Sequence, residues 1–234
     1  MFSVLNIEEQ KQKFFRKRKC RVESLLSPVK GAAPFKVINA VCGKKGVDWQ
    51  TVAAAAGCSA RSMLVPIGVN VPPYSSIQLF EPQVLPLLIM LNTAAVYLGR
   101  GTAAKNKLLI IDRNAVLPDY IERIVMLAAH ITVATDCPEK YYPCMADIME
   151  KCGAGLRVCL QPDSKIMYDV AVTYDEAVNA KICLDAADVS DNNITIPDDC
   201  LRMCPEKIDS FLFTCALFEC SGLVSIGELT LSDV

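Results

Sequence analysis

The sequence predicts an α/β protein. A Rossmann-like, mostly parallel sheet with helices on both faces is expected over 106–234, preceded by a mainly helical region over 1–105. Three observations carry this expectation. Short Val- and Ile-rich runs ("LLII", "ITVAT", "LRVCL", "VAVTY" and "ICL") recur from Leu108 onward, and such runs suit strands covered on both faces of a parallel sheet. Two spacers between them have helical periodicity: Ile121, Ile124, Val125 and Ala128 in one, Met145, Ile148, Met149 and Cys152 in the other, both at i, i+3, i+4, i+7. The candidates before residue 106 are instead short helices, set apart by the polar stretch "GRGTAAKNK".

Taken in order, "EQKQKFFRKRKCR" holds seven basic residues between Lys11 and Arg21. It reads either as a polybasic arm for nucleic acid or as a terminal helix or strand docked through Phe14 and Phe15. "APFKVINAVCG" has Pro34 near a helix start and Gly43 at its end, and "DWQTVAAAAG" runs from an Asp cap to Gly57. The prolines of "VPIGVNVPPY" favour extended chain. A linking helix is expected over 84–98. In the second half Gly153 stands where a C-cap belongs, and Ile208, Phe211, Leu212 and Cys215 mark a C-terminal helix. "NITIP" and "GELTL" are candidate further strands.

Hydrophobic residues make up 52% and mean hydropathy is +0.30, a surplus that points to a large core, a subunit interface or both. The formal net charge of −2 opposes bulk attraction to nucleic acid or an anionic membrane. The apolar run Val84 to Leu98 is too short, and too interrupted by Pro86, Asn92 and Thr93, to span a bilayer. "MFSVLNI" lacks the apolar region of a secretory signal, so a cytoplasmic location is expected. Twelve scattered cysteines read as mostly reduced, buried small hydrophobes. Cys200, Cys204, Cys215 and Cys220 are the one set that suggests zinc, but Cys215 belongs to an apolar helix stripe, and no metal is expected.

The stretch "KLLIIDRNAVLPDYIERIVMLAAHITVATD", Lys107 to Asp136, has the strand–turn–helix–strand order of a dinucleotide-binding unit. Asp112, Arg113 and Asn114 occupy the turn, and Asp136 stands where an acid for the ribose belongs. These four are the candidate cofactor-binding residues if a ligand binds at the strand ends. "IIDRNAVLP…ITVATDCP" resembles the corresponding unit of the methylenetetrahydrofolate dehydrogenases, and the domain order resembles theirs and that of the shikimate dehydrogenases. That resemblance implies an NAD(P) site. The turn, however, has Asp112, Asn114 and Leu117 in place of three glycines. Pro118 lacks an N–H for phosphate, and Asp119 and Glu122 satisfy the helix start and repel an anion. No cofactor is therefore expected.

Acids gather at the expected strand ends: Asp112, Asp136, Asp163, Asp175 with Glu176, and Asp185. "LLIIDRNAV" resembles the first motif of the haloacid-dehalogenase-type phosphatases. That resemblance implies Mg²⁺ chemistry, with Asp112 as nucleophile and Thr135 and Asp175–Glu176 in the later roles. Asn114 replaces the second acid of that motif, and Asp136 with Glu139 also reads as a plain capping box. "TVAAAAGCSARSM" resembles the helix-turn-helix of the LacI-type repressors, which implies DNA binding. Its second helix would run only from Ser59 to about Val65, with Arg61 as sole cation. His130, the single histidine, precedes the second strand, so a Cys–His or Ser–His pair is disfavoured. Cys137 at a helix start is a candidate reactive thiol, opposed by Asp136.

The reading that results is a cytoplasmic, non-catalytic binding or assembly protein that keeps the fold without its usual cofactor chemistry. Its partner is a second copy or another protein, with nucleic acid disfavoured and no membrane. The alternatives, in order, are an NAD(P)- or nucleotide-dependent enzyme with an atypical phosphate loop, a Mg²⁺-dependent phosphatase and a DNA-binding regulator.

Overall fold

The computed structural model describes residues 1–9, 20–27, 34–43, 46–99, 106–126, 128–152, 155–190, 194–196 and 198–220. The chain divides into two compact units. One contains residues 1–82 and takes back the described chain from Ile196; the other begins at Gln83.

The first unit is built on a sheet, which corrects the expectation of a mainly helical region. Strands β1 (Ser3–Glu9), β2 (Cys20–Leu25), β3 (Phe35–Cys42) and β4 (Met63–Leu64) form one sheet in the order β2-β3-β1-β4. β1 runs parallel to β3 and β4, and β2 runs antiparallel to β3. Pro34 and Gly43 punctuate "APFKVINAVCG", but they bracket a strand as readily as a helix. Val37, Ile38 and Val41 are β-branched and stiff at χ1, and they pair with Val4, Leu5 and Glu8 of β1.

The expected helix after Asp48 is present as α1 (Trp49–Ala56). The Asp48 carboxylate accepts from Thr51 N at 3.2 Å, and Gly57 ends the helix at φ +62°. The expected second helix of the DNA-binding reading is absent. Gly57–Arg61 is a 3-10 turn, and the chain passes straight into β4 beside β1. A two-residue strand held in a sheet cannot serve as a recognition helix. "VPIGVNVPPY" holds a turn from Pro66 to Val69, with Gly68 at φ +81°.

The core of this unit joins Leu5, Ile38 and Ala40 of the sheet to Val52, Ala56 and Ala60. Helices α5 (Asp198–Met203) and α6 (Ser210–Glu219) belong here too. α6 is the expected C-terminal helix, capped by Asp209 and anchored by Phe213, which meets Phe2 and Phe35 edge-on at 6.0 and 5.4 Å. Such aromatic contacts add about 0.5–1.5 kcal/mol each beyond their area.

In the second unit the expected linking helix is α2 (Leu85–Gly99), and it is buried on nearly every side. That explains its uniform apolarity, since a helix without a polar face is a core helix. All five expected strands are present: β5 (Lys107–Ile111), β6 (His130–Ala134), β7 (Leu156–Cys159), β8 (Tyr168–Thr173) and β9 (Ala180–Asp185). They form one all-parallel sheet in the order β7-β6-β5-β8-β9. Counted from β5 this is 3-2-1-4-5, the order of the doubly wound dinucleotide fold. α2 packs on β8 and β9.

The crossovers are leaner than expected. Between β5 and β6 a 3-10 turn, Pro118–Tyr120, leads into a one-turn helix α3 (Ile121–Ile124), shorter than the apolar pattern over 121–128. α4 (Tyr142–Cys152) links β6 to β7. The last two crossovers, residues 160–167 and 174–179, contain no helix. "NITIP" is no strand in its described residues; Gly153, "GELTL" and residues 10–19 of the basic stretch lie outside those described.

Among the described residues no helix is long and apolar enough to cross a membrane. The cysteine expectation needs correction: among the cysteines whose side chains are described, only Cys200 and Cys215 are fully buried, and Cys58 and Cys183 are exposed.

Candidate functional site

Parallel strands end together, and in this strand order the chain turns at the carboxyl ends of β5 and β8, where related folds place their ligands. The outcome depends on Asp112, the first residue beyond β5. Its backbone continues the ladder through an N–H bond to Ala134 O at 2.9 Å. Its side chain is only 2% exposed. One carboxylate oxygen accepts from Val116 N at 3.0 Å, and the other accepts from Leu117 N at 2.9 Å and from the Tyr141 hydroxyl. Ala115, between these residues, is held in the left-handed region at φ +49°, a conformation an alanine adopts only when its surroundings impose it.

This geometry answers the phosphate question locally. In a dinucleotide turn the free N–H groups leading into the helix face the pyrophosphate. Here a buried carboxylate of the chain itself already occupies two of them. A phosphate entering would displace that charge and strand it in a dry site, at a cost of several kcal/mol. α3 offers one turn, so little aligned backbone dipole exists to favour an anion. The residues present do not fit a pyrophosphate. Burial, and then the Asp112 charge, push the Tyr141 phenol up, so it stays a hydrogen-bond donor.

Arg113 does the complementary work on the outside of the turn. Its guanidinium holds Glu176 with two bonds of 2.6 Å, donates to Leu160 O at 2.7 Å and to Gln161 Oε1 at 3.4 Å, and meets Asp136 at 3.3 Å. One side chain thereby ties together residues that follow β5, β6, β7 and β8. The Glu176 hydrogen bonds push the guanidinium further up, and the same bonds hold the Glu176 carboxyl below its ordinary range. Planar, two-point pairing of this kind is what arginine does and lysine does not.

The remaining sequence candidates fall around this pair. Asn114 donates to Gln83 Oε1 at 3.1 Å, and its carbonyl accepts from Lys140 Nζ at 3.0 Å. Asp136 is 66% exposed and engages Arg113. It does not act as the helix cap its spacing with Glu139 suggested: a 3-10 turn, Pro138–Lys140, follows it and α4 begins later, at Tyr142. Thr135 serves the loop instead. Its hydroxyl donates to Arg113 O and accepts from Cys137 N.

The structure thus brings Arg113 and Asp136 together and places Asp112 and Asn114 on either side. Glu176 and Tyr141 are partners outside these four candidates. Glu176 was legible only as one of the acids gathered at the strand ends, whereas nothing in the periodicity singled out Tyr141.

The phosphatase arrangement fails on the same geometry. An Asp112 carboxylate with three donors on it is no free nucleophile, and Glu176 is taken by Arg113. Asp185 accepts from Asp175 N and Ala187 N. Among the described residues no three His, Cys, Asp or Glu side chains converge as a metal site. Cys204 donates to nearby carbonyls, and burial pushes its thiol up to about 11. Burial also raises the Cys144, Cys159, Cys200 and Cys215 thiols, the reverse of what activates a nucleophile.

Neither protein-family models nor curated proteins give a match to this chain. Among solved structures it is similar to L-tryptophan dehydrogenase from Nostoc punctiforme. The identity is 11% and the TM-score 0.34, over 81% of this chain and 68% of that one. So distant a likeness says nothing about activity; the fold class here stands on the five-stranded parallel sheet itself.

Proposed function

We propose that the chain is a non-catalytic binding or assembly protein, built on a Rossmann-like sheet whose phosphate turn is closed from within. The observation that carries this reading is the Asp112 carboxylate seated on Val116 N and Leu117 N. The Arg113–Glu176 pair, tied across the same edge, supports it. Tyr142 and Met149, exposed on α4 with half-buried Met145 on the same stripe, favour a protein partner or a second copy.

The experiment is a thermal-shift series on the full chain with NAD⁺, NADP⁺ and ATP, each with and without Mg²⁺. No rise in Tm is expected at concentrations that stabilise ordinary nucleotide enzymes by RT ln(1 + [L]/Kd). A dose-dependent rise with any dinucleotide would overturn the reading. It would favour the second one, a nucleotide-dependent enzyme with an atypical loop, which the reversal of strand order between β5 and β8 supports.

A further inference from the structure

The other edge of the parallel sheet, where the strands begin, holds a cavity of about 260 Å³. Lys107, His130, Thr132, Arg157, Ile166 and Tyr168 are among its lining residues. Parallel register brings the basic groups together. Lys107 pairs with His130, and Thr132 pairs with both Leu109 and Arg157. Side chains alternate along a strand, so residues 107, 130, 132 and 157 share one sheet face. Two fixed cations and an imidazole therefore stand in adjacent rows around one concavity.

Their countercharge is incomplete. Asp169 lies nearby, but its carboxylate accepts from Lys107 N at 2.9 Å and pairs with Lys181 at 2.6 Å. Among the described residues His130 and Arg157 have no ion-pair partner. Tyr168 lines the same concavity, with its hydroxyl shut off behind the wall. It is 2% exposed, and its hydroxyl is the only buried side-chain polar atom among the described residues with no hydrogen-bond partner. A buried donor left unmet is costly unless something else meets it.

We propose that this cavity binds a small oxyanion, a carboxylate or phosphate on a short apolar body. Lys107 and Arg157 supply charge and donors, His130 supplies a ring nitrogen, and Ile166 and the Tyr168 ring wall the apolar part. The volume lies below the ~300–1,000 Å³ of drug-sized pockets, so the ligand is smaller than a dinucleotide. The site is at the opposite end of the strands from the usual nucleotide edge and does not depend on how that edge behaves.

The test uses the full chain, with inorganic phosphate, isobutyrate and chloride compared at matched ionic strength by thermal shift and titration calorimetry. Phosphate, isobutyrate or both are expected to raise Tm where chloride does not; which of them acts identifies the source of the oxyanion. Arg157→Gln should weaken that binding about tenfold, while Tyr168→Phe and Arg202→Gln, the latter an equal charge loss in the other unit, leave it unchanged. Without ligand, Tyr168→Phe should raise Tm by about 2–4 °C, because it removes the unmet hydroxyl. The proposal is overturned if neither oxyanion outperforms chloride, or if Arg157→Gln binds as the parent does. Dinucleotide binding that survives Arg157→Gln would instead count against the closed phosphate turn, so the two readings fail separately.

Discussion

The two edges of the parallel sheet treat charge in opposite ways. At the carboxyl edge Asp112 is saturated by two backbone N–H groups and a phenol, and Arg113 is spent on Glu176, Asp136 and a carbonyl. At the amino edge Arg157 and His130 have no ion-pair partner among the described residues, and Tyr168 buries a hydroxyl that meets nothing. Strand order says where a fold of this kind can bind a ligand. Saturation says whether it still does. Here the donors at the edge favoured by topology are taken up within the chain, while unpaired cations stand at the other end of the same strands.

The largest expected effect comes from Asp112→Ala. It leaves Val116 N, Leu117 N and the Tyr141 hydroxyl without their acceptor in a buried turn, at a cost of about 3–5 kcal/mol. Urea denaturation of the full chain measures it. A loss below about 1 kcal/mol would show that the carboxylate does not organise the turn, and the contrast between the edges would collapse.

Next in size is Arg113→Ala, expected to cost about 1–3 kcal/mol, with Arg113→Lys recovering little because a point charge cannot make the two-point bond. The same pair gives a pH signature. The folded-state carboxyl of Glu176 lies below its unfolded value, held there first by the Arg113 hydrogen bonds. Its stabilisation is therefore fully present above the unfolded value of about 4.3 and lost as pH falls through the folded one. Glu176→Gln should remove part of the acid-induced fall in stability below about pH 5 and leave the slope above it unchanged. A profile identical to the parent's would mean that the pair carries no net coupling.

These effects bear on how much the residues announced in advance. The sheet of the second unit was legible because a strand covered on both faces must be continuously apolar, and β5, β6 and β8 are written that way. α2 was legible for the same reason. β3 was misread because Pro34 and Gly43 punctuate either kind of element, and only pairing with β1 decides between them. Arg113 and Asp136 were legible as polar residues at strand ends.

The closure of the turn was half visible. An Asp directly after a strand competes for nearby backbone N–H groups, but Tyr141 reaches it only through the fold. The amino-edge cavity was not visible at all. Lys107, His130 and Arg157 share no motif, and they meet because the strands are parallel and in that register.

The smallest expected effect sharpens the comparison most directly. Asp169 is the carboxylate beside the amino-edge cavity, and its pairing with Lys181, 66% exposed, is worth at most about 0.2–1 kcal/mol. Asp169→Asn keeps an oxygen for Lys107 N, so the fold should barely notice. It nevertheless removes a negative charge beside a face that already holds Lys107, His130 and Arg157. If that face is organised for an oxyanion, phosphate or isobutyrate should bind about two- to fivefold tighter in Asp169→Asn, with the gain shrinking as salt is added. If these cations are only a solvated surface, the substitution will shift Tm slightly and leave anion affinity where it was. In that case the amino edge would be no more ready for a ligand than the carboxyl one.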